Sequence, residues 1–222
     1  MKLIDKIHLA NDTYAFIFER PSKFTFLPGQ YIKILLNIKN PDSRGVSRYF
    51  TVASSPTEKY LMVTTRIIQS SFKKTLHSLP IGSKVKTRGP WGSFILDEKD
   101  KRPRVYLAGG IGITPARSMS IFIRDKNLDI LFTLLASFSK KDEVIFYDEL
   151  TTFKNKNIKT IIKITSERGR INENTIKENV GNTKNSIYYI SGPTGFVEAM
   201  EKLIKSLGVA EENIKTEDFP GY

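Results

Sequence analysis

The sequence contains no cysteine, and this absence excludes several kinds of chemistry at once. Disulfide bonds, thiolate nucleophiles, cysteine-ligated iron–sulfur clusters and the usual cysteine-containing zinc sites all need that residue. Histidine is almost as scarce, since His8 and His77 are the only two and lie on separate segments. Two isolated imidazoles make a weak case for a metal site or a catalytic triad. Redox chemistry in this chain must therefore use a bound organic cofactor, and we expect no metal.

Long apolar runs are also missing. The N-terminal segment MKLIDKIHLANDTY alternates polar and apolar residues and lacks the apolar core of a signal peptide. No run approaches the roughly 20 residues that span a bilayer. Hydrophobic residues make up 40% of the chain and charged residues 26%, as in ordinary globular proteins rather than disordered ones. We therefore expect a folded, soluble, cytoplasmic protein.

Acidic residues are the minority, with 23 against 35 basic ones, which gives a net charge of +12. Residues 1–100 contain 16 of the basic and 8 of the acidic side chains, so most of the excess lies in the first half. Such a charge speeds encounters with nucleic acid, an anionic surface or an acidic protein. Charge alone does not distinguish these partners.

The apolar pattern divides the chain into two domains. Up to about residue 95, short two-periodic segments between turn signals predict an antiparallel β-barrel, interrupted by one helix from Ser71 to Leu79. Beyond the charged stretch 99–103, nearly continuous apolar strands alternate with helical patterns, as in a doubly wound parallel α/β sheet. We expect a β-barrel domain over 1–99 and an α/β domain over 103–222. The expected strands of the second domain are 104–108, 130–137, 160–165 and 186–191, and the expected helices are 114–126, 143–152, 172–180 and 195–207.

Two glycine-rich turns follow strands of the α/β domain. In the first, residues 107–115, glycines allow a ligand to approach the backbone, Thr114 can cap the helix that follows, and Pro115 suits its first turn. The second turn, residues 191–195, opens another helix. Helix N-termini favour a pyrophosphate, and in a doubly wound sheet both turns would face one crevice. Each turn taken alone is also compatible with an ordinary strand-to-helix connection.

A third segment, Arg48-Tyr49-Phe50-Thr51, places a cation, aromatic rings and a hydroxyl within four residues of the β domain. A cation for phosphate, a ring for stacking and a hydroxyl for a ring nitrogen together suit a flavin nucleotide. The segment taken in isolation is also a common type of strand.

The order of these motifs resembles the ferredoxin–NADP reductase superfamily of flavoenzymes over nearly the whole chain. The motifs are RYFT (48–51), RGPWGSF (88–94), GGIGITP (109–115), SGPTGF (191–196) and EDFPGY (217–222). The resemblance implies an N-terminal FAD-binding β-barrel and a C-terminal NAD(P)-binding domain, with a hydride passing between nicotinamide and flavin. It implies that Thr51, Ser191 and Phe219 take part in catalysis.

The resemblance also assigns binding residues one by one. Arg48 corresponds to the arginine on the FAD phosphates, Phe50 to the aromatic residue, usually tyrosine, that packs on the isoalloxazine, and Thr51 to the hydroxyl facing flavin N5. Tyr49 is assigned to the same site. The nicotinamide dinucleotide loop corresponds to Gly110, Gly112, Thr114 and Pro115, and the second turn to Gly192 and Pro193, with Ser191 where cysteine is usual.

Two further segments are assigned to the flavin. Ser70 or Ser71 can cap a helix under the diphosphate, and Lys73 can add charge there, although a solvated lysine pair is the alternative. The C-terminal Phe219 and Tyr222 resemble the aromatic residues that cover the flavin in this superfamily. Trp91 can touch a nucleotide ring or close the barrel core.

Preference for NADP requires cations or hydroxyls that reach a 2′-phosphate at the ends of the second and third α/β strands. Ser137, Ser166 and Arg168 are the candidates, with Lys140 or Lys141 as further cations, and a solvated surface loop is the alternative for each. Glu167 favours the opposite preference, since a carboxylate there would repel the phosphate or accept from a 2′-hydroxyl. We expect NADPH to be preferred over NADH.

The sequence thus predicts an FAD-dependent NAD(P)H oxidoreductase that delivers electrons to a separate acidic carrier such as ferredoxin or flavodoxin. One alternative is a flavin reductase that releases reduced flavin, and firm retention of FAD would distinguish the two. A more distant alternative is a basic nucleic-acid-binding protein, which would leave the glycine turns unexplained.

Overall fold

The computed structural model describes residues 1–153 and 155–219. Two three-stranded antiparallel sheets come first, with strand orders β1-β2-β5 and β4-β3-β6, and a five-stranded parallel sheet with helices follows. The first part contains β1 (Leu3–Ala10), β2 (Thr13–Glu19), β3 (Tyr31–Leu35), β4 (Ser47–Thr51), β5 (Tyr60–Arg66), α1 (Ser71–Ser78) and β6 (Lys86–Trp91). The second part contains β7 (Arg104–Gly109), α2 (Ile113–Asp125), β8 (Phe132–Phe138), α3 (Tyr147–Thr151), β9 (Ile158–Ile164), α4 (Thr165–Arg168), α5 (Glu173–Asn179), β10 (Ile187–Gly192), α6 (Thr194–Ser206) and β11 (Ile214–Asp218).

Side-chain alternation explains the β half. In β3, Ile32 and Ile34 are fully buried, whereas Tyr31 and Lys33, which alternate with them along the strand, are only partly buried. The buried residues join one core with α1, which contributes Phe72 and Leu76. The antiparallel architecture predicted from the short two-periodic segments is therefore confirmed.

The parallel sheet has the order β11-β10-β7-β8-β9 and buries both faces. Successive residues of β7 enter opposite cores: Tyr106 and Ala108 pack with α2, whereas Val105 and Leu107 pack with α5 and α6. This burial on both faces requires the near-continuous apolar strands seen in the sequence. The predicted α/β fold class is confirmed, with strand boundaries that differ by one or two residues.

Several features differ from prediction, among them the short helix α4, which was not predicted. The edge strand β11 was not predicted, because its sequence IKTED is polar and it pairs only with β10. Helix α3 is shorter than expected, since a 3-10 turn occupies residues 141–143. The prediction that Thr114 caps α2 is wrong: a 3-10 turn over 110–112 leads directly into the helix, Gly112 is its N-cap, and the Thr114 hydroxyl donates to the Ile111 carbonyl at 3.0 Å.

The two glycine turns contact each other, because β7 and β10 are neighbours at the centre of the sheet. A Cβ on Gly112 would lie 2.2 Å from the Ser191 carbonyl oxygen. Gly192, at φ +152°, approaches Gly109 so closely that a Cβ there would lie 2.9 Å from the Gly109 oxygen. Only glycine permits this approach, which places both turns at one crevice of the sheet.

We expect Gly112→Ala to lower the free energy of unfolding by about 2–3 kcal/mol, because the added methyl group would push the two turns apart. Gly110→Ala is the matched control, since a Cβ there meets nothing within 4 Å and only its φ of +53° is unfavourable for alanine. That substitution should cost about 1 kcal/mol. Urea unfolding followed by circular dichroism measures both, and equal losses would contradict a close approach at Gly112.

Candidate functional site

A cavity of about 320 Å³ lies where the two halves of the chain meet. Its lining comes from the β half through Arg44, Arg48, Tyr49, Phe50, Thr51, Thr64 and Lys73, and from the α/β half through Ile111, Thr114, Asp218 and Phe219. We call it the flavin cleft, after the ligand that the sequence predicts for Arg48, Phe50 and Thr51. It unites the end of β4, the first glycine turn and the C-terminal segment, which are far apart in sequence.

Cations dominate the β side of this cleft. Lys73 is only 3% exposed, and its burial, together with the nearby Arg44, Arg48 and Arg66, lowers its pKa to about 8. The Nη1 atom of Arg48 donates to three carbonyl oxygens of residues 44–47, whereas its buried Nε has no hydrogen-bond partner among the described residues. Grouped cations and a buried unsatisfied donor suit an anionic ligand such as a diphosphate.

Helix α1 points its N-terminus at the same region. Ser70 is the N-cap, and its hydroxyl accepts from the Lys73 N–H at 3.4 Å, so between the two predicted caps the structure selects Ser70. Ser71 instead bonds Asp42: its N–H donates to Asp42 Oδ2 at 3.0 Å, and its hydroxyl accepts from the Asp42 N–H at 2.8 Å.

Asp42 is a residue that sequence reasoning missed. Its Oδ1 accepts from Arg48 Nη2 at 3.0 Å, which orients the guanidinium. Loss of hydration opposes ionisation of Asp42, but the N–H groups of Ser71 and Arg44 and the charge of Arg48 lower its pKa to about 2. No motif marked it, since an aspartate in a polar loop six residues before an arginine is an unremarkable pattern.

The aromatic residues of β4 occupy different surroundings. Phe50 is 4% exposed and belongs to the barrel core, with its ring 5.9 Å from that of Phe72. Tyr49 is 57% exposed on the opposite face of the strand. Thr51, buried at the strand end, lines the cleft. Only a limited part of Phe50 is therefore available to a stacked ring.

The donor set of this cleft fits FAD. Arg48 and Lys73 match a diphosphate, Thr51 provides a hydroxyl, and Phe219 provides a ring on the α/β side. Bound FAD would supply the acceptor for a hydride and the donor for single electrons, while the protein supplies orientation and electrostatics. The N–H of Phe219 donates to the Gly192 carbonyl at 3.0 Å, which ties the C-terminal segment to the second glycine turn. Tyr222 lies outside the described residues.

A second cavity, of about 400 Å³, lies along the glycine turns, and Ile111 lines both cavities. We call it the nucleotide cleft. Its lining includes the predicted Gly110, Ser137 and Pro193, together with Gly109, Ser139, Thr165, Arg170, Phe196 and the cross-domain pair Arg66–Glu143, whose side chains are 3.3 Å apart. Ser166 and Arg168 are exposed and line neither of these two clefts, whereas Arg170, which was not predicted, does.

Ser191 is fully buried and its hydroxyl faces inward. Its Oγ donates to the Gly112 carbonyl at 2.6 Å and shares a 2.6 Å hydrogen bond with Tyr106 Oη. Gly112 and Gly192 are held in the contact between the turns, and Pro115 is buried in α2. These residues therefore fix the backbone of the two turns without lining either cleft.

Glu217 is a further residue that sequence reasoning missed. It pairs with Ser191 across β10 and β11, its Oε2 has no hydrogen-bond partner among the described residues, and burial raises its pKa to about 7. Its position in the sequence could have marked it, because it directly precedes Asp218 and Phe219, which line the flavin cleft.

Comparison with known proteins agrees with this geometry. The model of the oxidoreductase FAD-binding domain matches residues 1–95, and that of the oxidoreductase NAD-binding domain matches residues 106–202. The chain therefore has the two domains of an NAD(P)H-dependent flavoprotein oxidoreductase. Together with the fold, these matches show that it belongs to the ferredoxin–NADP reductase superfamily. FAD and a nicotinamide dinucleotide are its cofactors.

Individual relatives are distant. The chain is 29% identical to flavohemoprotein A of Dictyostelium discoideum, over 88% of this chain and 53% of that protein. It is 26% identical to the glycine betaine monooxygenase reductase subunit of Chromohalobacter salexigens, over 93% of this chain and 60% of that protein. The chain thus spans little more than half the length of these curated relatives.

Solved structures share the fold. The FAD/NAD-binding domain of nitric oxide dioxygenase from Vibrio cholerae superposes with a TM-score of 0.86 at 20% identity, covering 98% of this chain and 97% of that one. A ferredoxin–NADP⁺ reductase from Neisseria gonorrhoeae with bound FAD and NADP gives 0.83 at 18% identity, covering 98% and 96%. In the part of the chain that the structure describes, no helix has the length and apolar character needed to cross a membrane.

We expect Arg48→Ala to weaken FAD binding roughly ten- to a hundredfold, because a charge-assisted hydrogen bond contributes about 1.5–3 kcal/mol. Fluorescence titration of the FAD-free protein measures the dissociation constant. Arg88→Ala, which removes an exposed cation from the same sheet, is the control and should leave it unchanged. Equal affinity of the Arg48 variant and wild type would remove Arg48 from the flavin site.

Proposed function

We propose that the protein accepts a hydride from NAD(P)H onto FAD and passes the electrons singly to a separate acidic carrier protein, of the ferredoxin or flavodoxin type. The family membership and the adjoining clefts support the first step. The observation that carries the second step is a surface of the β half, described next. The domain boundary that we propose lies within the charged stretch 99–103.

The outer side of the sheet β4-β3-β6 is both aromatic and basic. Tyr31, Tyr49 and Trp91 form a cluster with ring centroids 5.6 to 6.4 Å apart. The register places Lys33 between Tyr49 and Arg88, and the Lys33 ammonium lies 5.0 Å from the centre of the Tyr49 ring. Lys86 lies opposite Leu35 at the far end of the sheet. We call these residues and the cations beside them the basic aromatic face.

This face complements an acidic protein. The three strands contain no aspartate or glutamate, and Tyr49 and Trp91 are 57% and 41% exposed. Aromatic residues and arginine are enriched in protein interfaces, and a surface of one charge sign steers partners of the opposite sign. Tyr49 also lines the flavin cleft beside Thr51, so a carrier bound here would lie next to the flavin.

The residue roles follow from the same arrangement. We propose that Arg48, Ser70, Ser71 and Lys73 hold the diphosphate of FAD, and that Thr51 faces the flavin ring. Phe219 covers the ring from the α/β side. Ser191 acts by fixing the first glycine turn rather than by direct contact, because its hydroxyl bonds Gly112 and Tyr106.

The visible spectrum of the purified protein and its anaerobic titration with NADPH and NADH test the first step. Yellow protein that retains FAD through gel filtration and is bleached by either nucleotide supports the proposal. Protein that neither contains nor takes up FAD would overturn it. Release of FAD on gel filtration would instead favour a flavin reductase.

We expect the double variant Lys86→Glu/Arg88→Glu to raise the KM for an acidic ferredoxin by roughly tenfold, because it reverses the charge of the docking surface. Reduction of menadione, an uncharged quinone, should stay at the wild-type rate. The matched control, Lys126→Glu/Lys202→Glu, changes two exposed lysines of the α/β half by the same total charge. A similar loss in both double variants would show an effect of net charge and contradict a specific face.

We expect NADPH to be preferred over NADH. Arg170→Ala should lose more of that preference than Arg168→Ala, because Arg170 lines the nucleotide cleft and Arg168 does not. A cation on a 2′-phosphate contributes about 1.5–3 kcal/mol, so kcat/KM for NADPH relative to NADH should fall roughly ten- to a hundredfold. Steady-state kinetics with both nucleotides decide this. A wild-type preference for NADH would contradict the expectation for both arginines.

A further inference from the structure

Helix α2 contains a buried arginine whose hydrogen bonds are complete. Arg117 is 2% exposed, and each of its five N–H groups has an acceptor. Nε and Nη2 donate to the two carboxylate oxygens of Glu149 at 2.7 and 2.6 Å. Nη1 and Nη2 donate to the two oxygens of Glu58 at 2.9 and 3.1 Å, and Nη1 also donates to the Ala53 carbonyl at 2.8 Å.

These partners belong to both halves of the molecule. Ala53 and Glu58 lie in the connection between β4 and β5, whereas Glu149 lies on α3 of the α/β half. Two neighbouring contacts repeat the pattern: Ser118 Oγ donates to the Ser54 carbonyl at 2.7 Å, and Thr57 Oγ1 donates to Asp125 Oδ2 at 2.6 Å. One side of α2 therefore bonds the connection at Ala53, Ser54, Thr57 and Glu58.

The connection itself is rigidly organised around Glu58. The Ser55 N–H and the Tyr60 hydroxyl donate to its carboxylate at 2.6 and 2.7 Å. Burial opposes ionisation of Glu58, but the Arg117 hydrogen bonds and charge keep its pKa below the ordinary value. A planar guanidinium matches two carboxylates at once, whereas a lysine ammonium lacks this fork geometry.

The position of Arg117 links it to both clefts. Ala53 follows Thr51 of the flavin cleft by two residues. Arg117 lies on α2, which begins directly after the turn that contains Gly110 and Ile111 of the nucleotide cleft. The arginine therefore connects the backbone next to one proposed cofactor site with the helix that continues from the other.

We propose that Arg117 is a positioning residue that fixes the distance between the nicotinamide and flavin sites through its bonds to Ala53 and Glu58. This inference rests on the proposed hydride transfer from NAD(P)H. Reacting atoms must approach to roughly 3–3.5 Å, and a displacement of about 1 Å can slow a reaction a hundredfold. Loss of the cross-domain bonds therefore slows transfer while each domain still binds its own cofactor.

Stopped-flow reduction at saturating NADPH or NADH measures the transfer rate in wild type, Arg117→Met, Arg117→Lys and Glu58→Gln. We expect transfer to slow roughly hundredfold in Arg117→Met, roughly tenfold in Glu58→Gln and by a factor between these two in Arg117→Lys. FAD affinity should change far less, because the proposed diphosphate contacts Arg48 and Lys73 both lie in the β half. Arg124→Met is the matched control, because Arg124 lies two turns further along α2, is exposed, and contacts Asp125 and the Phe153 ring rather than the connection 53–58. It should react at the wild-type rate.

A distance measurement supplies a readout independent of activity. The chain has no cysteine, so two introduced cysteines can be labelled specifically. Lys23→Cys and Lys202→Cys place one spin label at an exposed position of each half. Pulsed electron paramagnetic resonance then measures the distance between the two labels. We expect a narrow distribution in wild type and Arg124→Met, and a broader one in Arg117→Met and Glu58→Gln, with and without FAD.

A wild-type transfer rate in Arg117→Met overturns the proposal, as does a slow variant whose distance distribution is unchanged. If Arg117→Met does not fold, Arg117→Lys and Glu58→Gln decide by the same two measurements. If neither nucleotide reduces the wild-type protein, the proposed hydride transfer fails. The distance distributions then show separately whether Arg117 fixes the two halves.

Discussion

Helix α2 is the element on which the arrangement of both clefts depends. Its N-terminus continues the first glycine turn, which the second turn contacts at Gly112. One side carries Ile113, Ala116 and Met119 into the core beneath the parallel sheet. Another side bonds the connection 53–58 of the β half. A displacement of this helix would therefore move the nucleotide cleft relative to the flavin cleft, although each domain has its own core.

The grouping of cations at the flavin cleft is unfavourable for the protein alone. Arg44, Arg48 and Lys73 repel one another, and burial of the lysine adds a desolvation penalty that lowers its pKa. Asp42 offsets part of this charge by its contact with Arg48. A bound diphosphate would add negative charge beside these cations, and perturbed pKa values such as that of Lys73 cluster at functional sites.

The sequence predicted the architecture because its signals were local. Two-periodic and continuous apolar segments, glycine turns and charged connections each depend on neighbouring residues, and the observed strands followed them closely. The sequence did not reveal Arg117, Glu58 or Asp42, because their importance comes from contacts between segments distant in the chain. Arg168 and Arg170 illustrate the same limit: they lie two residues apart, at the end of α4 and just after it, and only the fold shows which one lines the nucleotide cleft.

The titratable groups also explain how such a protein works with almost no histidine. His8 and His77 pack against Tyr14, with ring centroids 4.9 and 4.5 Å from it, and line neither cleft. Most of the charged residues that line the clefts are arginines, which stay protonated near neutral pH. Chemistry that resides in a flavin needs orientation and fixed charge rather than a general base. The scarcity of histidine and the cations at the clefts therefore fit the roles that we propose: the side chains position the cofactors, and the cofactors carry the electrons.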